Sequence, residues 1–426
     1  MDIQDLHKLY LLCNGVSTDT RNIKQGNLFF ALKGDNFNGN SYAEDALNKG
    51  AKYAVIDDGT FANIKNTILV DNVLETLQRL ATFHRNYHKT TVVALTGSNG
   101  KTTTKELINA VLSQKFETLA TQGNLNNHIG VPLTLLRIEK KTEIAIIEMG
   151  ANHQKEIAFL SAIARPDYGY ITNYGKAHLE GFGGVEGVIK GKSELYDYLS
   201  NNQKTAIVNA EDPIQIEKTK NIKRFTFGSN HANSQVHIDF LGANPFVICT
   251  FKDQNIKTQL IGAYNYTNIC AAIAIGTLFG VDAKAIKKAI ETYVPSNNRS
   301  QIINKGSFKI ILDAYNANPS SMRAALMHFE TQPGLKIAIL GDMFELGNDA
   351  EMEHQTIADL AVSLPIDKIY FVGSNFFKCK IENENAEQFK SFEDLKMHLK
   401  TLKLVDSTLF IKGSRGMALE RVLDSL

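Results

Sequence analysis

Residues able to handle phosphate oxygens gather at one place in this chain. The segment 96–104 reads Thr-Gly-Ser-Asn-Gly-Lys-Thr-Thr-Thr. Gly97 and Gly100 let backbone N–H groups approach an anion closely, and Lys101 adds a mobile positive charge. The Thr102 hydroxyl is suited to magnesium, while Ser98, Asn99 and Thr103 complete a ring of polar groups. Such a loop works when it ends a strand and opens a helix, because the helix N-terminus supplies free N–H groups. Both neighbours are predicted. Residues 91–95 are an apolar, β-branched run, and 105–112 repeat apolar residues at helical spacing. The general phosphate-loop pattern has a further glycine where this chain has Leu95, so the loop is a shortened variant. A glycine turn bearing a solvated lysine is the bland alternative, and it leaves the flanking strand and helix unexplained. A bound triphosphate is the better reading.

Other polar residues follow predicted strands. Glu148 ends the apolar run 144–147, and ligands of parallel sheets bind beyond the carboxyl ends of strands. His178 lies in a glycine-rich loop, 173–183, where a metal or phosphate would sit; a lone histidine is more often structural. Lys192, within 190–196, reads from spacing alone as a solvated helical lysine. Segment 121–132 holds Asn126 and Asn127 among three asparagines and two glycines, which suits a sugar or peptide amide or simple turn chemistry. Asp313, Tyr315, Asn316 and Asn318 follow a strand of the last third. Lys412 and Arg415 follow another and offer two cations for a carboxylate or phosphate.

The elements that must position these residues fall into three blocks. The first, 1–87, mixes short strands at 26–32 and 53–56 with helices at 42–49 and 74–87. The second, 88–299, alternates strands at 91–95, 143–149, 167–172 and 205–209 with helices at 154–163 and 185–199. Residues 222–262 are expected to be an antiparallel elaboration, followed by helices at 265–279 and 282–293 and a hinge at 295–300. The third, 300–426, restarts with parallel strands at 308–312, 336–340, 368–372 and 408–411, and helices at 320–331, 351–363, 392–402 and 417–425. The fold class is therefore α/β with three domains: a small α/β N-terminal domain, a central parallel-sheet mononucleotide-binding domain, and a Rossmann-like C-terminal domain. At 426 residues the chain has room for them, and a net charge of +1 argues against nucleic acid as a partner. The N-terminus lacks a basic-then-apolar signal pattern, and no apolar run is long enough for membrane insertion. With four scattered cysteines, a reducing, cytoplasmic location is expected.

Five stretches carry a resemblance to the Mur ligase family, which adds amino acids to the peptidoglycan precursor at the expense of ATP. They are 123–132 (Gly-Asn-Leu-Asn-Asn-His-Ile-Gly-Val-Pro), 148–153 (Glu-Met-Gly-Ala-Asn-His), 177–183 (Ala-His-Leu-Glu-Gly-Phe-Gly), 315–319 (Tyr-Asn-Ala-Asn-Pro) and 340–347 (Leu-Gly-Asp-Met-Phe-Glu-Leu-Gly). Within the family the resemblance is to the step that joins D-alanyl-D-alanine to UDP-N-acetylmuramoyl-tripeptide. The Asp-Asn-Pro-Arg signature typical of the preceding step is absent. The resemblance implies ATP and Mg2+ as cofactors, catalytic roles for Lys101, Lys192, His178 and Glu148, and metal ligation by Thr102, Glu148, His178 and a carbamylated Lys192. It places Asn268 near adenine, with Arg299 and Asp313 contacting ATP. Thr20, Arg21 and Lys33 are implied at the uridine diphosphate. Asn126 and Asn127 belong to a substrate-recognition loop, Tyr315, Asn316 and Asn318 would position the dipeptide, and Lys412 and Arg415 would hold a carboxylate. A monomer is expected. The chain departs from the family's usual residues at Thr20, Asn38, Asn40, Tyr264, Asn297 and Asn298. Competing readings are another amide ligase of the superfamily, either the third-amino-acid-adding Mur ligase or folylpolyglutamate synthase, and a non-ligating nucleotide switch.

Overall fold

The computed structural model describes residues 1–229, 234–401 and 406–426. Three mainly parallel sheets carry the chain in sequence order. The first orders its strands Val16–Ser17, Leu28–Phe30, Tyr53–Ile56 and Thr67–Leu69, all parallel. Asn72 caps the helix Val73–His88 by accepting from the Glu75 amide at 2.9 Å, and this helix leads into the second sheet.

The second sheet is built around the phosphate-loop strand Thr91–Thr96. Ile144–Glu148 lies on one side of it and Tyr168–Ile171 on the other, so consecutive strands straddle it. That reversal of strand order leaves a crevice at the carboxyl edge, where the Thr96–Lys101 turn lies. Buried on both faces, these strands are almost wholly apolar, and helices Lys101–Leu112 and Val185–Asn201 cover opposite sides.

Lys223–Gly228 corrects one expectation, because it extends this parallel sheet beside Thr205–Asn209 and is not antiparallel. The antiparallel elaboration is confined to Asp239–Ala243, Phe246–Phe251 and Gln254–Ile261. The part of the expectation falling on residues 230–233 lies outside the described residues.

The third sheet runs Gln301–Lys305, Phe308–Asp313, Thr408–Lys412, Lys336–Gly341, Lys368–Val372 and Ala386–Phe389. The first two form an antiparallel hairpin and the rest are parallel, so the expected parallel core gains one strand at each edge. The helix expected at 392–402 is Phe392–Thr401; residue 402 lies outside the described residues. The helix expected at 417–425 is instead a 3-10 run, Leu419–Ser425, cut off from the preceding turn by Ala418 at φ +46°. Among the described residues no helix is long and apolar enough to cross a membrane.

Candidate active site

The phosphate loop has the backbone its glycines predict. Gly97 and Gly100 sit at φ +141° and +79°. A Cβ on Gly97 would meet Thr172 Oγ1 at 2.0 Å, and one on Gly100 would meet Asn268 Oδ1 at 2.5 Å, so neither position has space for a side chain. Gly100 precedes the helix Lys101–Leu112, whose first turn faces the crevice. Lys101 folds back so that its Nζ donates to the carbonyls of Gly97 (2.6 Å) and Ser98 (3.2 Å). Withdrawal from water lowers its pKa to about 8, despite the opposing pull of the Glu148 carboxylate.

Glu148 is 1% exposed. Its Oε1 accepts from Thr102 Oγ1 at 3.2 Å and from Asn126 Nδ2 at 2.8 Å, while its backbone N–H donates to Thr121 Oγ1 at 3.0 Å. Its Oε2 is buried with no partner, as are Ser98 Oγ and Arg299 Nε. All three residues line one cavity of about 1040 Å³. A buried carboxylate oxygen without a donor costs free energy unless something positive fills the space beside it.

Lys192 is also 1% exposed. The solvated helical lysine that spacing alone would give is thereby ruled out. Its Nζ donates to the Ala151 carbonyl at 3.0 Å and lies 4.6 Å from the centre of the Phe182 ring. Burial holds its pKa well below the ordinary lysine value, and the charge on Lys101 adds to the effect. His178 sits at φ +52°, and its Nδ1 is hydrogen-bonded to the Glu345 carboxylate from the third sheet's loops. The same hydrogen bond holds Glu345 below its usual carboxylate pKa. Among the described residues no group of three His, Cys, Asp or Glu side chains forms a metal site by itself. A magnesium ion here would thus depend on ligand phosphates as well as on protein groups of the cavity wall, Thr102, the free oxygen of Glu148 and His178 among them.

The third sheet reaches into the cavity from the other side. Asn318 Nδ2 donates to Asn99 Oδ1 at 2.7 Å, tying the capping residue of helix Pro319–Phe329 to the phosphate loop. Lys176 adds two contacts, its backbone N–H to Ser320 Oγ at 2.9 Å and its Nζ to Glu353 at 2.5 Å. Tyr315 receives the Arg299 guanidinium 3.7 Å from its ring centre, with Arg415 at 6.0 Å. At the hinge, Asn298 adopts φ +54°, a conformation asparagine tolerates better than other side chains. Asn297 Nδ2 and the Tyr293 hydroxyl both bond Glu106, anchoring the hinge to the phosphate-loop helix.

The cavity wall therefore brings together Ser98, Asn99, Gly100, Lys101, Thr102, Thr103, Asn126, Asn127, Glu148, His178, Asn268, Arg299, Asp313, Tyr315, Asn316, Asn318, Lys412 and Arg415. Within that set several side chains are already engaged. Asn268 accepts from Thr104 Oγ1 at 3.0 Å and donates to Asn265 at 2.9 Å, packing behind Gly100. Lys412 is 2% exposed and pairs with Asp313 at 2.5 Å, while Arg415 pairs with Glu420 at 2.8 Å. Asn127 accepts from the Ile129 and Gly130 amides and shapes the loop that opens the helix Gly130–Leu135. Thr20, Arg21 and Lys33 do not line this cavity. Arg21 pairs with Asp19 at 2.7 Å, and Lys33 pairs with Asp57 at 2.9 Å. Sequence reasoning missed Thr121, Glu345 and Ser320, which hold the site residues in place. Thr121 and Glu345 lie in the stretches 121–132 and 340–347 already noted, but their contacts form across the fold and spacing does not disclose them.

The chain belongs to the Mur ligase family. Residues 13–85 match the Mur ligase family catalytic domain, 95–276 the Mur ligase middle domain, and 298–415 the Mur ligase glutamate ligase domain. Within that family, it is 34% identical over 428 residues to the UDP-N-acetylmuramoyl-tripeptide–D-alanyl-D-alanine ligase of Bacillus subtilis strain 168, covering 97% of this chain and 93% of the relative. Its fold matches the crystal structure of MurF from Acinetobacter baumannii with a TM-score of 0.88 at 30% identity, covering 100% and 98% of the two chains. MurF ligase from Thermotoga maritima, solved in complex with ADP, matches at TM-score 0.84 and 28% identity over 97% of each chain.

Proposed function

We propose that this protein is an ATP-dependent ligase that joins D-alanyl-D-alanine to the carboxylate ending UDP-N-acetylmuramoyl-tripeptide, giving the pentapeptide precursor of peptidoglycan. The observation that carries this reading beyond similarity is the cavity where the phosphate loop meets Glu148, His178 and the Tyr315–Asn318 loop, with Lys192 buried behind its wall on the Ala151 carbonyl. Its polar orphans are a hydroxyl, a carboxylate oxygen and a guanidinium N–H, the set needed around a metal-bound triphosphate.

In the first step an oxygen of the tripeptide carboxylate attacks the γ-phosphorus of ATP, the bond to the β-phosphate oxygen breaks, and ADP leaves. The product is an acyl phosphate. The neutral amine of D-alanyl-D-alanine then attacks the acyl carbon, gives up a proton, and phosphate departs from the tetrahedral intermediate. Bringing a carboxylate against a polyphosphate is the electrostatic obstacle. Lys101 lies where its ammonium can turn from the loop carbonyls to the phosphates, and the loop N–H groups stabilise the transferring group in line. Thr102, Glu148, His178 and Lys192 would hold magnesium, which supplies charge neutralisation at the phosphates.

Lys192 fits a carbamate. Its burial favours the neutral amine, which adds to carbon dioxide with loss of a proton, and the remaining N–H can keep its bond to the Ala151 carbonyl. The Asp313–Lys412 pair and the Arg299–Tyr315 stack orient the loop that faces the dipeptide. The three blocks, 1–87, 88–299 and 300–426, would then serve the uridine nucleotide through Thr20, Arg21 and Lys33, ATP, and the dipeptide. The enzyme is expected to act as a cytoplasmic monomer.

Purified protein with ATP and magnesium should release phosphate only when both the UDP-linked tripeptide and D-alanyl-D-alanine are present, with a product of the pentapeptide's mass. Phosphate release independent of the dipeptide, with no ligated product, refutes the proposal.

A further inference from the structure

The loop Asp342–Gly347 lies in the stretch 340–347, which no step of the reaction yet uses. It is fixed from several sides. The Asp342 carboxylate accepts from the Asn375 and Phe376 amides, both at 2.9 Å. The Met343 amide donates to His354 Nε2 at 2.9 Å, and the Phe344 amide donates to Ser414 Oγ at 2.9 Å. From this rigid base Glu345 projects at φ +62°, a left-handed conformation that a glutamate adopts only under constraint. Its carboxylate bonds His178 Nδ1, and its carbonyl accepts from the Glu180 amide at 3.4 Å. Gly347 packs so closely on Glu180 that a Cβ there would lie 3.1 Å from the Glu180 Cβ.

Resting on the ligase reading above, we infer that Glu345 is a positioning residue. Delivered from the third block, it fixes the tautomer and direction of the His178 imidazole and makes the metal-facing side of the site complete only when the blocks are closed. A carboxylate at Nδ1 keeps the proton on that nitrogen, so the Nε2 lone pair is left for a cation. The same contact clamps the turn Leu179–Phe182. That turn starts at His178, whose carbonyl accepts from the Phe182 amide at 3.1 Å, and it carries the Phe182 ring to Lys192. One hydrogen bond thereby orients two of the groups expected to serve magnesium. An ordinary closure contact such as Lys176–Glu353 touches neither.

The test uses the full-length protein and three variants. Glu345→Ala removes the carboxylate, Glu345→Gly removes it while relieving the backbone, and Lys176→Met loosens closure elsewhere. For both Glu345 variants the magnesium concentration giving half-maximal turnover should rise about 10-fold to 100-fold, the range for losing a partner of a metal-binding histidine. That shift should be absent in Lys176→Met. In the metal-free protein, nitrogen NMR of the His178 ring should show the proton on Nδ1 in the wild type and moved toward Nε2 in Glu345→Ala. Unchanged magnesium dependence in both Glu345 variants, or an unchanged His178 tautomer, overturns the inference. Failure of the ligase reading is distinguishable, because it leaves the wild type itself without product, whereas the NMR comparison needs no turnover.

Discussion

Replacing Glu148 with glutamine isolates the claim that this buried carboxylate is built for a cation. Oε1 already receives Thr102 and Asn126, and Oε2 receives nothing. Leaving a buried acceptor unpaired costs about 1–3 kcal/mol, a penalty the unliganded protein bears and the metal–nucleotide complex removes. In Glu148→Gln the amide oxygen can keep the two donors, which places the NH2 group where the cation would bind. The unliganded variant should therefore lie within about 1 kcal/mol of wild type, because buried charge is lost along with hydrogen-bond strength. At a magnesium–ATP concentration near 100 times Kd, binding stabilises the wild type by about 2.7 kcal/mol. If the affinity drops roughly 100-fold, the same ligand stabilises the variant by only about 0.4 kcal/mol. At about 2–4 °C per kcal/mol for a unit of this size, the magnesium-dependent rise in Tm should shrink from about 5–10 °C to about 1 °C. Scanning calorimetry with magnesium–ATP against ATP plus chelator reads the difference. A variant that keeps the full rise refutes the assignment.

Four further outcomes are expected. Lys101→Ala should lower turnover roughly 100-fold or more, the scale for one charge-stabilising group, and turnover near wild type would remove its role. Because Lys101 titrates near 8 in the unliganded protein, it is neutral at higher pH and must regain a proton to meet phosphate. ATP affinity should therefore fall as pH rises above about 8, with proton uptake seen by calorimetry in buffers of different ionisation enthalpy; a flat profile contradicts this. Lys192→Ala should be largely inactive and partly rescued by short carboxylates, and a folded variant that no added carboxylate revives would argue against the carbamate. Burial holds His84 down to about 4, with its Nε2 donating to the Ile138 carbonyl and His7 bonded to its Nδ1. The unfolded chain takes up this proton first as pH falls from about 6.5, so stability should drop by about 3 kcal/mol by pH 4 from this group alone. Urea denaturation of His84→Gln should show a shallower loss, and an unchanged slope would mean other groups govern it.

The phosphate loop was legible because its chemistry is local: a strand, two glycines and a helix start are consecutive in the chain. The place of Glu148 on the cavity wall follows a related signal, a lone carboxylate ending an apolar strand. Lys412 shows the limit. It reads as a free cation, yet Asp313 is its register partner on the neighbouring parallel strand and neutralises it. Strand order is set by non-local packing that spacing does not encode. Lys223–Gly228 misled similarly. As an outer strand of the parallel sheet it is only partly covered, so its pattern mimics a two-faced antiparallel strand. Spacing does not disclose that Lys192 is buried, because its burial depends on Phe182 and Ala151 arriving from other elements.

Activation of a peptide's terminal acid by ATP is the core of the mechanism, and heavy-oxygen transfer tests it most directly. The carboxylate of the UDP-linked tripeptide would be labelled with heavy oxygen, turned over with ATP and D-alanyl-D-alanine, and the released phosphate weighed. Each phosphate is predicted to carry one heavy oxygen from the peptide. Unlabelled phosphate released alongside full formation of the pentapeptide would contradict the acyl-phosphate route.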